Sequence, residues 1–233
     1  MATQLTLGIS LGSDLNLDSF VEDNNRVLLA ALRAMLADAT GSDRFLYAWG
    51  DSGSGKTHLL HAIAKAAAEN GLATGMLSGA EHSNVPVAMI EGWDALDLVL
   101  VDDLDAFAGH AAWEEALFHM YNRLNDRQAR LLVASRHSPA SSGVDLPDLQ
   151  TRLSYMLVYQ LQSLDDDGRQ KALQAKARQR GLELPAEVAR WLLTRHSRDM
   201  GELASLLDRL DAAAMQAKRR LTIPFVKDVI GAG

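Results

Sequence analysis

The 233-residue chain contains no cysteine, which excludes disulfides and thiolate metal centres and agrees with a reducing compartment. Its longest apolar runs, such as Leu98–Val101, fall far short of the ~20 residues that cross a bilayer. The first twenty positions carry no Lys or Arg, and Asp14 and Asp18 interrupt their apolar residues, which argues against a secretory signal. A cytoplasmic protein without a membrane partner is expected. Histidines at metal-ligand spacing are lacking too, since His58 and His61 share a helix face with no third ligand near them in sequence. Basic charge is also short: 23 Lys and Arg stand against 30 Asp and Glu, for a net charge of −7. A protein that coats DNA with its whole surface is thereby excluded, because neutralising phosphates needs clustered cations. With 48% hydrophobic residues and no low-complexity tract, the chain is neither disordered nor fibrous.

Charge divides the sequence unevenly. Residues 1–162 hold 10 basic and 20 acidic side chains, whereas 163–233 hold 13 basic and 10 acidic. The shift predicts two structural units, the second better suited to anions. Residues 1–19 read as a polar lead with alternating Leu5, Leu7, Ile9 and Leu11. From Asn25 to Ala39 the apolar spacing predicts a helix. Strand-like runs at Phe45–Trp49, Ala73–Ser78, Leu98–Val101 and Arg130–Ser135 alternate with helical patterns at Lys56–Asn70 and Ala112–Arg127. Such alternation, up to about Tyr159, predicts an α/β core with a parallel sheet flanked by helices over residues 20–162. Beyond it, Asp165–Arg180, Pro185–His196, Asp199–Arg219 and Thr222–Ile230 read as helices, giving a small all-helical unit over 163–233. Gly71 and Gly181 mark helix ends, and Pro185 suits a first helical turn.

The run Gly50-Asp51-Ser52-Gly53-Ser54-Gly55-Lys56-Thr57 matches G-x-x-x-x-G-K-[ST] in full, between a strand and a helix. Glycines let successive backbone N–H groups turn inward on phosphate oxygens. Lys56 places a cation on the outer phosphates, Thr57 offers its hydroxyl to Mg²⁺, and the helix that begins here adds its positive dipole end. About 45 residues on, a strand ends in Asp102-Asp103. Asp102 would hold Mg²⁺ and Asp103 would orient a hydrolytic water. ADP or ATP with Mg²⁺ is the expected ligand.

Three segments make this more specific: GKTHLLHAIA, LVLVDDLDAFAG and LPDLQTRLSY at Leu146–Tyr155. Together with the N-terminal Gln4-Leu5-Thr6-Leu7-Gly8-Ile9 and the ending KRRLTIPFVKDVI, they resemble the AAA+ domain of the bacterial initiator DnaA. They are more similar still to the short Hda-type members of that family. The resemblance covers nearly the whole chain and implies an AAA+ P-loop core with a helical lid. It also implies a regulator that, with the DNA-loaded sliding clamp, stimulates hydrolysis of DnaA-bound ATP and so prevents over-initiation of replication. DnaA's DNA-reading domain would follow the lid, and no such segment occurs in this sequence, so DNA is expected to be met only through the clamp.

On this resemblance Gln4, Leu5, Leu7 and Ile9 form a clamp-binding motif, Q-L-x-L-x-[LI], whose apolar side chains fill pockets. Alternation alone would equally give an edge strand. Arg152 falls at the arginine-finger position, acting in trans on a partner's ATP. On the residues alone it is a surface arginine that could pair with Asp148 four positions back. Two positions depart from the family pattern. Arg136 stands where a sensor 1 Asp is expected and Gly201 where a sensor 2 Arg is expected, with Arg198 three residues before it. Nucleotide should therefore bind stably, with little intrinsic turnover. The cluster Lys218-Arg219-Arg220 reads as a solvated helix end or a contact for DNA beside a clamp. Two other functions stay open: a self-sufficient ATPase that loads helicase or remodels replication complexes, and an adaptor that holds nucleotide only as a folding ligand. A homo-oligomer is also left open.

Overall fold

The computed structural model describes residues 17, 25–38, 43–197, 200–217 and 219–231. They form two compact units, which divide between Ser163 and Leu164. In the first unit the helices are α1 (Arg26–Leu36), α2 (Lys56–Glu69), α3 (Ala111–Asp126) and α4 (Pro147–Ser154). Its strands are β1 (Phe45–Trp49), β2 (Thr74–Ser78), β3 (Leu98–Asp102), β4 (Arg130–Ser135) and β5 (Leu157–Gln160). The sheet runs β2-β3-β4-β1-β5 and every pair is parallel.

The order follows from burial. β3 and β4 are buried along their whole length, and they read as continuous Leu and Val runs because helices cover both faces of a parallel sheet. β5 is an edge strand with exposed Leu157 and Val158. It carried no separate signal, since four residues with polar neighbours look like loop. The main core gathers Leu77, Val99, Val101, Leu131 and Val133 from the sheet and Leu104 from the turn after β3, with Leu117, Met120, Leu149 and Leu153 from α3 and α4.

Several polar residues fix these elements. Asn25 precedes α1 but its side chain does not cap the helix. Its amide instead brackets a strand end, donating to the Gln162 carbonyl at 3.1 Å and accepting from the Gln162 N–H at 2.9 Å. Arg130, at the start of β4, donates to the Met35 carbonyl at 2.8 Å and pairs with Asp38 at 3.3 Å, so the end of α1 is tied to the sheet.

The second unit holds α5 (Asp166–Gln179), α6 (Ala186–Arg195), α7 (Met200–Ala217) and α8 (Ile223–Gly231). Leu203, Leu206, Leu207, Leu210 and Ala214 form a buried stripe on α7, packed with Leu173, Val188, Leu192 and Val226. Gly181 ends α5 at φ +72°, where the Leu182 N–H bonds the Ala177 carbonyl at 2.9 Å. Pro185 corrects the expectation slightly: it sits one position before α6 in extended backbone, not within the first turn. Among the described residues no helix is long and apolar enough to cross a membrane.

Candidate phosphate-binding site and an exposed arginine

The loop after β1 is shaped by its glycines. Its first residue, Gly50, lies between two strand ends, with its N–H on the Ser135 carbonyl at 3.1 Å. A Cβ there would strike the Leu161 carbonyl oxygen and come within 3.0 Å of the Ser54 hydroxyl, so only glycine fits. Gly53 and Gly55 have φ of +76° and +99°, a region that other residues enter at a cost of about 1–2 kcal/mol. Gly55 immediately precedes α2, which brings the helix N-terminus onto the loop.

Lys56 is buried, and its ammonium donates to the Gly50 carbonyl at 2.7 Å and the Asp51 carbonyl at 2.9 Å. Burial pulls it below the usual lysine range, while Asp103, Asp102 and Asp105 hold it up and Arg136 opposes them. Ser54 Oγ is buried with no hydrogen-bond partner. An orphaned hydroxyl in a glycine cradle beside a lysine suits a phosphate group.

Thr57 Oγ1 donates to Asp102 Oδ2 at 2.7 Å, so the two residues assigned to Mg²⁺ meet in space. The Asp103 N–H donates to Asp102 Oδ1 at 3.0 Å. The Asp102 carboxyl is pushed up, chiefly by burial and further by Asp103, against the Thr57 bond, the Asp103 N–H and Lys56. A buried carboxylate with a second one beside it gains from a divalent cation, so this donor set fits Mg²⁺. Asp103 itself lies in the left-handed region at φ +48°.

A third carboxylate was not singled out in sequence. Asp105 accepts from Ser135 Oγ at 2.6 Å and from the Arg136 N–H at 2.9 Å, and the Arg136 Nε lies 3.8 Å away. It joins the turn after β3 to the end of β4. Three residues after β3, in a 3₁₀ turn, it carries no periodic signal. Tyr47 reinforces the same end of the sheet by donating to the His137 carbonyl at 2.9 Å, and burial pushes its phenol far up.

Arg152 occupies the last turn of α4 and is exposed. The bland pairing with Asp148 is absent; its guanidinium instead stands 5.8 Å from the centre of the Tyr121 ring. Tyr121 in turn meets Phe45, the first residue of β1, edge to face at 4.7 Å. That places Arg152 by the amino end of the sheet, whereas Gly50, Lys56 and Asp102 gather at the carboxyl end. Arg136 follows β4 at the phosphate end with its side chain 58% exposed. Gly201 is in the first turn of α7, in the second unit. Gln4, Leu5, Leu7, Ile9, Arg198 and Lys218 lie outside the described residues. Among the described residues no group of three or more His, Cys, Asp or Glu is arranged to hold a metal by itself.

Glu114 likewise carries no local signal in the sequence. It is 2% exposed on α3, and its carboxylate accepts from the N–H groups of Gly109 (2.8 Å), Asp145 (3.1 Å) and Leu146 (2.7 Å). The loop leading into α4 therefore hangs on one carboxylate.

The model of the bacterial DnaA ATPase domain matches residues 11–161, and that of the Hda lid domain matches residues 166–230. A Haemophilus influenzae protein described only as uncharacterized is 41% identical over 231 residues, 99% of each chain. Domain III of the Thermotoga maritima replication initiation protein DnaA has a TM-score of 0.79 at 22% identity, covering 96% of this chain and 98% of that one. AMPPCP-bound DnaA from Aquifex aeolicus has a TM-score of 0.73 at 23% identity, covering 89% of this chain and 68% of that one. The Holliday junction branch migration motor RuvB of Thermotoga maritima is more distant, with a TM-score of 0.67 at 21% identity, covering 94% of this chain and 72% of that one. At these identities the solved structures speak for the fold, and the matches along the sequence carry the relationship. The chain belongs to the bacterial DnaA ATPase-domain family of AAA+ proteins, with a second unit of the Hda lid type.

Proposed function

We propose that this protein is a nucleotide-bound regulator that uses Arg152 to stimulate hydrolysis of ATP held by DnaA, on a DNA-loaded sliding clamp. One observation carries the reading. Arg152 is tied through Tyr121 to Phe45 at the amino end of β1, while its own phosphate loop begins past the carboxyl end of that strand. Five residues of strand span roughly 15 Å, more than an arginine side chain can reach. An exposed guanidinium so placed cannot serve its own loop's phosphates, which supports action on another molecule's, where its fixed charge would stabilise the charge spreading over the γ-phosphate. The family supplies the partner's identity, and Gln4, Leu5, Leu7 and Ile9 supply the link to the clamp.

In this reading Gly50 to Thr57 and Asp102 hold ADP or ATP, with Thr57 and Asp102 on Mg²⁺ and Asp103 beside the water position. The relative that binds AMPPCP supports an adenine nucleotide. The bound nucleotide sets conformation and is turned over slowly, because Arg136 and Gly201 replace the two sensor residues. Steady-state hydrolysis by the isolated protein should rise only slightly above the background of Lys56→Ala. Rapid hydrolysis that Lys56→Ala abolishes would instead favour a self-sufficient ATPase acting as a helicase loader.

The test of the regulator reading uses DnaA preloaded with radiolabelled ATP, together with clamp on DNA. Wild-type protein should accelerate loss of the label, and Arg152→Ala should return it to the rate without this protein. Deleting residues 1–9 should do the same. Absence of any acceleration by the wild type would sink the reading.

A further inference from the structure

We propose that Tyr121 is a positioning residue for the Arg152 guanidinium, an inference that rests on Arg152 acting upon a partner's nucleotide. The backbone at Arg152 is already fixed. Leu149 and Leu153 of α4 are buried in the main core, and Glu114 secures Asp145 and Leu146 just before the helix. What α4 does not fix is the side chain, which is exposed and has four rotatable bonds ahead of its charged plane. An arginine in that setting samples many rotamers, few of which aim the guanidinium at one target.

Tyr121 restricts that choice from a different element. It belongs to α3, is 8% exposed, and lies in the same core as Leu117, Met120 and Leu124. Phe45 meets its ring at an interplanar angle of 90°, which joins it to β1. The guanidinium carbon stands 5.8 Å from the ring centre, within the range where a cation is drawn to the negative face of an aromatic ring. Burial raises the Tyr121 phenol above its ordinary range and the Arg152 charge draws it back. A tyrosine that only filled core space would leave the finger's direction unset. Here the sheet, through Phe45 and Tyr121, holds an exposed charge in one place before a partner arrives.

The experiment is single-turnover hydrolysis of ATP preloaded on DnaA, with DNA-loaded clamp, titrated with this protein or its variants. Tyr121→Leu keeps an apolar side chain and removes the ring. It should lower the maximal rate about two- to fivefold and leave the half-saturating concentration where the wild type has it. Tyr121→Phe keeps the ring face and should restore most of that rate. A graded series of fluorinated phenylalanines at position 121 drains the negative face at nearly constant shape. It should slow the reaction stepwise, and it serves as the test if the leucine variant does not fold. A wild-type rate with Tyr121→Leu, a loss confined to the half-saturating concentration, or indifference to fluorination would overturn the assignment while leaving the Arg152 reading intact. Wild type that fails to stimulate at all would overturn both.

Discussion

Lys56→Ala should bind Mg-ADP at least about a hundredfold more weakly than the wild type. The ammonium is held against the loop by the Gly50 and Asp51 carbonyls at 2.7 and 2.9 Å. Its removal deletes charge-assisted hydrogen bonds to phosphate, roughly 1.5–3 kcal/mol each. It also leaves Asp102, Asp103 and Asp105, all felt by Lys56, facing an anionic ligand without that cation. Repulsion and lost bonding act in the same direction. Calorimetric titration measures the affinity, and thermal melting gives a second readout, because a ligand that binds only the folded state raises Tm. The wild type should gain stability with Mg-ADP and the variant should not. Affinity within threefold of the wild type would mean that this loop is not the nucleotide site.

Glu114→Ala should lose roughly 2–3 kcal/mol of stability. The carboxylate is 2% exposed and serves three backbone N–H groups from two loops, at Gly109, Asp145 and Leu146. An alanine strips these donors of their shared acceptor at once; Gly109 and Asp145 are exposed residues and Leu146 is half-buried, so water takes up part of the loss. A loss of that size lowers Tm by about 5–10 °C in a domain of this length. Glu114→Gln keeps one acceptor oxygen but loses the other along with the charge, so it should fall between alanine and wild type. Equal melting of all three would show that water replaces the carboxylate. The two loops meet at the entry to α4, so the glutamine variant should also stimulate DnaA-bound ATP hydrolysis less well, even where it is fully folded.

Much of the protein can be read from local pattern. The phosphate loop is legible because glycine, lysine and threonine are each demanded by a short-range geometry, and Gly50, Gly53 and Gly55 prove to occupy positions that exclude or disfavour a side chain. β3 and β4 are legible because burial on both faces leaves an unbroken apolar run. The pairing of Thr57 with Asp102 follows from the same grammar, a loop and a strand end about 45 residues apart. The stripe of leucines along α7 likewise announces a helix with one buried face.

Tertiary structure alone decided the rest. Asp105, Glu114, Asn25 and Tyr121 have no distinguishing neighbours in sequence. Each takes its meaning from partners far along the chain: Ser135 for Asp105, Asp145 and Leu146 for Glu114, Gln162 for Asn25, Arg152 and Phe45 for Tyr121. The same holds for Arg152, whose sequence neighbourhood suggests a surface pair with Asp148 and whose fold gives it an aromatic ring instead. Backbone geometry and burial periodicity are set by residues within a turn or two of one another, so they are written locally. A buried carboxylate's donors or a cation's ring are brought together only when helices and strands pack, and no spacing along the chain encodes that meeting.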